Sequence, residues 1–207
     1  MKQKNTFAHL KSEGKLARQT VIIEAAERVF AVKPFNKVSI RDIAKEAGIS
    51  HASIYRYFPD QQSLFIEAFI RGAEEISETL ERLIDKSKTP NIGKISDAFI
   101  SYLIDNDQYF RMMTHFMLDG SLSAEKVERL NATERHFFDQ FDKLFRKLHK
   151  PEPVRLLSHA LFAALNGVMI TFRNYPGREP EAVRQHMLHV ARSIAHSFSA
   201  NQKVENP

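Results

Sequence analysis

A short run of polar side chains between residues 50 and 57 is the part of this sequence best suited to chemistry with a polyanion. Its members are Ser50, His51, Ala52, Ser53, Tyr55, Arg56 and Tyr57. Hydroxyl and basic groups can donate hydrogen bonds to phosphates and base edges, and small neighbours permit close approach. The run therefore predicts a helix face that contacts double-stranded DNA in the major groove, with a helical hairpin carrying solvated polar residues as the alternative.

The residues before this run predict the frame that positions it. Ser39, with Asp42 three residues later, indicates a capping box at the start of a helix over about residues 40–47. Gly48 can adopt the left-handed conformation of a tight turn. Small or apolar residues recur at core spacing at Ile43, Ala44, Ala47, Ile49 and Ile54. We predict a helix-turn-helix whose second helix covers about residues 51–57, and we expect the helix N-terminus at Ser39 to bind a phosphate.

Charge is concentrated in the same part of the chain. Residues 1–58 hold eleven lysines or arginines against five acidic residues, a net charge of +6, whereas the other 149 residues carry 19 basic and 20 acidic residues. A basic head joined to a nearly neutral body suits a protein that binds a polyanion with one part and is regulated or oligomerises through the other. A merely soluble basic surface is the alternative.

Residues 17–68 resemble the DNA-binding domain of tetracycline-repressor-type (TetR) transcriptional regulators. The resemblance is carried by Phe30, Val38-Ser39, Ile43-Ala44, Ala47-Gly48-Ile49-Ser50, Ile54-Tyr55-Arg56-Tyr57-Phe58-Pro59 and Leu64. It implies that Ser39, His51, Ser53, Tyr55, Arg56 and Tyr57 contact DNA, with Tyr57 on a phosphate. The family commonly has a lysine two residues after the proline, where this chain has Gln61. We expect a basic arm with Lys2, Lys4, Lys11 and Lys15 to compensate along the DNA, disorder of the arm being the alternative.

Helical periodicity runs through almost the whole chain, and no stretch alternates as a half-buried strand does. The predicted fold is all-α with about nine helices. Residues 1–60 form an N-terminal arm and a three-helix DNA-binding domain, and residues 61–207 form a helical ligand-binding and dimerisation domain. The first helix is predicted from about Lys15 to Val32, ended by Pro34, and the later ones over about residues 60–86, 92–105, 107–118, 124–147, 153–173 and 179–200. The chain ends, residues 1–14 and 201–207, are polar enough to fray.

Aromatic and methionine side chains gather in the middle helices. Phenylalanine and methionine suit a deformable apolar cavity, and the resemblance implies that an inducer binds in this region, a plain core being the alternative. The candidate ligand-binding residues are Phe99, Tyr102, Phe110, Met113, Phe116, Met117, Phe137, Phe141, Phe162 and Asn166. The pattern favours a small, largely apolar or aromatic ligand.

The last two helices are predicted to form a homodimer interface. The penultimate helix is apolar on nearly every side, which requires cover on more than one face. Together with the last helix it is expected to meet its symmetry mate in a four-helix interface, a dimer that the resemblance also implies. The predicted interface residues are Leu161, Ala164, Leu165, Val168, Met187, Val190, Ala191, Ile194 and Phe198.

Several classes of protein are disfavoured. The absence of cysteine removes disulfides and thiolate sites, and His186, His189 and His196 are not joined by a carboxylate at metal-ligand spacing. We expect no enzyme activity, no metal and no cofactor, because no catalytic constellation or phosphate loop is visible. Arg155, Ser158, His159 and Asn166 interrupt the most apolar run, which argues against a membrane span. The basic, polar first residues predict no export signal, so a cytoplasmic location is expected.

The predicted function is a ligand-responsive DNA-binding transcriptional regulator, a repressor released from a palindromic DNA operator by its inducer. The alternative is a DNA-bound architectural or protein-recruiting module of the same fold that has no inducer. The operator sequence, the target genes, the inducer and the direction of regulation are not encoded in any pattern that the sequence displays.

Overall fold

The computed structural model describes residues 2–33, 37–118 and 122–199, with side chains described from residue 13 onward. Over these ranges the chain forms nine α-helices and no strand, which confirms the all-α prediction. The helices are α1 Lys2–Val32, α2 Ile40–Glu46, α3 His51–Ile54, α4 Gln61–Asp85, α5 Ile92–Asp105, α6 Asp107–Leu118, α7 Ala124–Lys147, α8 Arg155–Phe172 and α9 Pro180–Ser199.

Two helices differ from their predicted bounds. Helix α1 begins at Lys2 rather than near Lys15, so the predicted start of the first helix is wrong. Helix α3 ends at Ile54, and the chain continues in a turn through Tyr57, whose amide donates to the carbonyl oxygen of Ile54 at 2.9 Å. Such i to i−3 bonds form a tighter winding than the α-helix, and Pro59 disfavours helical geometry at the residue before it. The predicted helix stop at Pro34 and the predicted frayed end at 201–207 lie outside the described residues.

The described residues form two compact units. The head unit comprises Met1–Gly72 and Asp107–Glu128, and the body unit comprises Ala73–Asn106 and Arg129–Pro207. In the head unit, α1 packs on α2 and α6, and α2 packs on α3. The Phe30 ring meets Phe65 of α4 edge to face, with centroids 4.7 Å apart. Arg111 of α6 donates to the carbonyl oxygen of Phe30 at 3.2 Å, which ties α6 to the C-terminal end of α1.

The body unit is built around α5, α8 and α9, which pack on one another. Two arginines of α9 strengthen this arrangement: Arg184 pairs with Asp105, and Arg192 pairs with Asp97 of α5 at 2.8 Å. The pair with Asp105 raises the pKa of Arg184. These contacts hold α9 against α5 by charge as well as by apolar packing.

Helix α8 is the one helix of the described chain that is long and apolar enough to cross a membrane by length and composition. Its inward residues Leu161, Leu165 and Val168 are buried in the body unit. A core helix of a soluble protein passes the same test, so the composition of α8 is weak evidence for a membrane span.

Candidate DNA-binding interface

The capping box predicted at the start of α2 is present. The Asp42 amide donates to Ser39 Oγ at 3.3 Å, and Asp42 Oδ2 accepts from the Ser39 amide at 2.8 Å. The same oxygen accepts from Lys33 Nζ and from Ser39 Oγ, each at 2.6 Å. The bond from Lys33, followed by those from Ser39, holds the pKa of Asp42 well below its usual range. The Ser39 hydroxyl therefore serves the cap first, and this cap fixes the helix N-terminus that is predicted to face a phosphate.

The turn between α2 and α3 is a Schellman motif. Gly48 has φ +67°, in the left-handed region that favours glycine. Its amide donates to the carbonyl oxygen of Lys45 at 3.2 Å, and the Ile49 amide donates to that of Ala44 at 3.0 Å. This pair of bonds satisfies carbonyls at the end of α2 and reverses the chain sharply. The sequence prediction of a left-handed glycine at this turn is confirmed.

Helix α3 presents the polar run to solvent. Ser50 caps the helix, because its Oγ accepts from the Ser53 amide at 3.1 Å. Ile54 is the buried anchor of the helix. Exposed around it are Ser50, His51, Ala52, Tyr55 and Arg56, whereas Ser53 and Tyr57 are half-buried. Gln19 of α1 donates to the Tyr57 carbonyl oxygen at 3.5 Å, which restrains the turn after α3. The buried isoleucine thus orients the predicted DNA contacts outward.

Several cationic groups are exposed in the same segment of the chain. Lys37, Arg41 and Lys45 are exposed in or beside α2, as is Arg56 beyond α3. Phosphate backbones attract such groups and release counterions when they bind. The net charge of +6 in residues 1–58 is therefore partly displayed next to the polar run. The side chains of Lys2, Lys4 and Lys11, predicted to extend along the DNA, lie outside the described residues, and Lys15 is exposed on α1.

The start of α4 lies beside the predicted interface, and a residue that the sequence did not predict there binds to it. Asp60 caps the helix, its Oδ1 accepting from the Ser63 amide at 2.7 Å. Gln61, which stands where a lysine was expected from the resemblance, donates to the Val38 carbonyl oxygen at 3.0 Å. Lys126 of α7 donates to Asp60 Oδ2 at 2.9 Å. No local pattern could have found Lys126, because it lies 66 residues from Asp60 in the sequence.

The predicted ligand-binding residues divide between the two units. In the body unit, Phe99 lies at the centre of a ring cluster, with centroids 5.7 Å from Phe137, 6.2 Å from Phe141 and 6.0 Å from Phe162. Asn166, one turn beyond Phe162, is buried and donates to its carbonyl oxygen at 2.9 Å, while Asn166 Oδ1 has no protein partner in the described chain. Aromatic packing and an unpaired acceptor therefore lie one helical turn apart on α8.

The remaining members of the predicted ligand set differ in burial. Tyr102 of the body unit is half-buried, and its hydroxyl donates to Glu75 at 3.2 Å. In the head unit Phe110, Met113 and Phe116 of α6 are buried, whereas Met117 is exposed. A cavity of about 260 Å³ in the body unit is lined by other residues, namely Thr89, Pro90, Asn91, Ile92, Leu148, Lys150 and Ser199.

The structure places the predicted dimer residues on two kinds of surface. Leu161, Leu165, Val168, Met187 and Ala191 are buried inside the chain's own body unit, and Ala164, Val190, Ile194 and Phe198 are half-buried. A side chain that is already buried has no surface left to cover with a partner. Another apolar stripe of α8 faces solvent, in which Ala160 and Ala163 are exposed and Leu156 and Ile170 are 71% and 66% exposed. With the half-buried Gly167, these positions follow the alternating four- and three-residue spacing of a helix seam.

Comparison with known proteins identifies the segment that contains α2 and α3. The sequence profile described as "Bacterial regulatory proteins, tetR family" matches residues 22–68. The chain is 26% identical over 137 residues to the uncharacterized HTH-type transcriptional regulator YfiR of Bacillus subtilis, covering 65% of this chain and 67% of YfiR. It is 28% identical over 131 residues to the nucleoid occlusion factor SlmA of Haemophilus influenzae, covering 62% of this chain and 57% of SlmA.

Solved structures share the fold over most of the chain. A TetR-family regulator structure from Mesorhizobium loti superposes with a TM-score of 0.69 at 17% identity, covering 88% of this chain and 97% of that one. The transcriptional regulator FadR of B. subtilis, crystallised with stearoyl-CoA, superposes with a TM-score of 0.67 at 20% identity, covering 84% and 97%. Together with the capped and turned helix pair described above, the profile match identifies residues 22–68 as similar to the DNA-binding domain of the tetR family of bacterial regulatory proteins, and the relatives support a TetR-type transcriptional regulator that binds DNA.

Proposed function

We propose that this chain is a homodimeric repressor whose two head units bind a near-palindromic DNA operator and release it when a small, largely apolar inducer binds. The observation that carries the proposal is the outward face of α3 and its following turn, anchored by the buried Ile54. The proposed DNA-binding domain covers residues 1–60. Its contacts are Ser39, Ser50, His51, Ala52, Ser53, Tyr55, Arg56 and Tyr57, with the guanidinium of Arg56 suited to a guanine edge or a phosphate.

The dimer is supported by the exposed stripe of α8. Contiguous apolar surface on a soluble protein commonly marks a contact with another chain. The small residues Ala160, Ala163 and Gly167 allow two helices to approach closely, and Leu156 and Ile170 supply apolar area at either end. We therefore place the seam of the proposed dimer on this stripe, with the half-buried Val190 and Ile194 of α9 beside it. Two head units held in this way suit an operator with two half-sites.

The ligand class is supported by the ring cluster around Phe99 and by one neighbour. FadR of B. subtilis, which shares the fold, was crystallised with stearoyl-CoA. An apolar chain would suit the phenylalanine-rich interior of this protein, and Asn166 Oδ1 could accept a hydrogen bond from a polar group of the ligand. Release follows if the ligand favours a spacing of the head units that does not match successive major grooves. In this proposal the protein acts in the cytoplasm without enzymatic activity.

Selection of DNA by the purified protein tests the proposal directly. Duplexes retained from a randomised library should converge on a near-palindrome, and the affinity for that duplex should fall steeply as salt is raised. Replacing Arg56 by Ala should weaken binding by about 1 to 3 kcal/mol, which is roughly 5- to 150-fold in Kd. The matched control is R178A, which removes an exposed arginine of the body unit. Absence of a selected sequence, or equal loss in both variants, would contradict the assigned face.

The inducer is tested on the same duplex. Small molecules retained by the purified protein are identified by mass spectrometry and then added to the protein–DNA complex. Release of the duplex at a concentration near the ligand's Kd supports an inducer. Retention of an apolar molecule that leaves DNA affinity unchanged would contradict its role in regulation.

A second candidate function follows from the relatives named nucleoid occlusion factor SlmA. In this alternative the DNA-bound chain recruits another protein and has no inducer. It predicts that no retained small molecule changes the DNA affinity, and that a protein partner binds more tightly to the DNA complex than to the free chain. Ligand release of DNA would argue against it.

A further inference from the structure

The N-terminus of α4 carries an ion pair between two distant parts of the head unit. Lys126 Nζ, in the first turn of α7, lies 2.9 Å from Asp60 Oδ2 and 2.9 Å from Gln62 Oε1. The Lys126 side chain is only 17% exposed, whereas that of Asp60 is 49% exposed. The lysine is therefore largely enclosed, and the carboxylate that it binds still faces solvent.

Asp60 lies beside the proposed DNA contacts. It follows Tyr57 by three residues, and its neighbour Gln61 donates to the carbonyl oxygen of Val38 at 3.0 Å. Val38 directly precedes Ser39, the cap of α2. The two helix N-termini that start at Ser39 and Asp60 are thus joined by one hydrogen bond, and a carboxylate is held next to amides that are expected to face phosphates.

A carboxylate in this position opposes DNA binding unless its charge is neutralised. Burial disfavours the charged form of Asp60, but the hydrogen bonds from Lys126 and Ser63 outweigh it, and the pKa of Asp60 lies below its usual value. The group is therefore ionised at neutral pH. A negative charge near a phosphate is repelled over roughly a Debye length, about 10 Å at 0.1 M salt.

We propose that Lys126 is a positioning residue for DNA binding, which neutralises Asp60 so that the N-terminus of α4 can approach the phosphate backbone without repulsion. The inference rests on the proposed function of the head unit as the DNA-binding part. It assigns to the first turn of α7 an electrostatic part in an interface that is otherwise built from residues before position 62. Lys126 acts through Asp60 and makes no phosphate contact itself.

Charge-neutral variants separate this role from others. K126Q leaves the Asp60 charge uncompensated. With the Asp60 carboxylate of each of the two head units about 10 Å from a phosphate, we expect DNA binding to be about fourfold weaker at low salt. D60N removes the repelling charge, and asparagine caps helices as well as aspartate does, so α4 should keep its start. The double variant D60N/K126Q should bind within about twofold of the native chain, and K126R should match it. K143Q is the matched control. Lys143 also belongs to α7 but lies in the body unit, and the substitution breaks its ion pair with Asp85 of α4.

The assay uses a labelled duplex that the native chain has selected from a randomised library. Fluorescence anisotropy measures the binding of each variant to this duplex at low and at high salt. Thermal unfolding of each variant checks that it folds. Rescue of K126Q by D60N, and loss of the K126Q defect at high salt, would support the proposal. A purely mechanical tether predicts no rescue, because the double variant also lacks the ion pair. A direct phosphate contact of Lys126 likewise predicts a double variant weaker than the native chain.

Two results overturn the inference alone while the native chain still binds the duplex: an unrescued double variant, and a K126Q variant that binds like the native chain. Failure of the native chain to select any duplex would overturn the proposed function and this inference with it.

Discussion

Replacement of Gly48 by Ala tests the turn on which the recognition surface depends. A Cβ atom built at Gly48 meets no atom within 4 Å, so the substitution introduces no clash. The whole effect must therefore come from the backbone, which has φ +67°. A left-handed conformation costs an L-residue about 1 to 2 kcal/mol, and the stiffer unfolded chain offsets about 0.4 to 1 kcal/mol of this. We expect G48A to lower the free energy of unfolding by about 1 kcal/mol.

The assay is urea unfolding followed by circular dichroism. With a slope of about 2 kcal/mol per molar urea, a loss of 1 kcal/mol moves the midpoint down by about 0.5 M. G14A is the matched control, because Gly14 lies in helical backbone of α1 and an added Cβ meets only the flexible end of Arg18, at 3.7 Å. There the same substitution should raise stability by up to about 1 kcal/mol, since alanine is the better helix former. G48N should lie between G48A and the native chain, because asparagine tolerates the left-handed region.

The outcome that refutes this reasoning is a G48A midpoint equal to or above that of the native chain. Such a result would mean that residue 48 does not adopt a left-handed conformation, and the Schellman motif would have to be abandoned. A loss several times larger than expected would instead show that the added methyl group meets an atom, which is also incompatible with the open surroundings of Gly48.

Two further predictions concern the dimer and the capping box. Replacing Ala163 by Glu places a charge in the α8 stripe and should raise the dimer dissociation constant at least about tenfold. Analytical ultracentrifugation measures this constant, and the control is L16E, at an exposed position of α1. An unchanged dissociation constant would place the dimer seam elsewhere. Because Lys33 and Ser39 lower the pKa of Asp42, its stabilisation is present above the unfolded pKa near 4 and is lost as pH falls through the lower folded value. The difference in Tm between the native chain and D42N should therefore be constant from pH 7 to about 5 and shrink below about pH 4. A difference that persists at low pH would show that the Asp42 carboxylate does not stabilise the cap of α2.

The helix pair of the head unit could be predicted because its determinants are local. The capping box at Ser39 and the left-handed Gly48 each act over five residues or fewer, the apolar residues Ile43 and Ile54 lie only eleven residues apart, and the structure contains all of these features. The sequence predicts α3 as far as residue 57 because the polar run continues past Ile54, but the backbone sterics before Pro59 favour a turn after Ile54. The residues before Lys15 show no apolar periodicity, so the sequence does not predict that α1 begins at Lys2.

The body unit shows where periodicity stops being informative. Helix α8 is apolar on nearly every side, so the pattern could not tell the inward residues Leu161 and Leu165 from the outward Ala160 and Ala163. Burial depends on which neighbouring helices pack against each face, and α5, α7 and α9 contact α8 without covering Ala160 and Ala163. The predicted ligand residues likewise looked alike in the sequence, although some lie in α6 of the head unit and others in the ring cluster of the body unit.

The sequence by itself determined the all-α class, the capped helix pair and the polar face between Ser50 and Tyr57, because hydrogen-bonding groups a few residues apart settle these features. Only the tertiary structure decided that Gln61 binds the Val38 carbonyl oxygen, that Lys126 forms an ion pair with Asp60 and that an apolar stripe of α8 is exposed. The physical reason is distance along the chain. A contact over 66 residues exists only after several helices have packed, and no short segment of sequence encodes that packing.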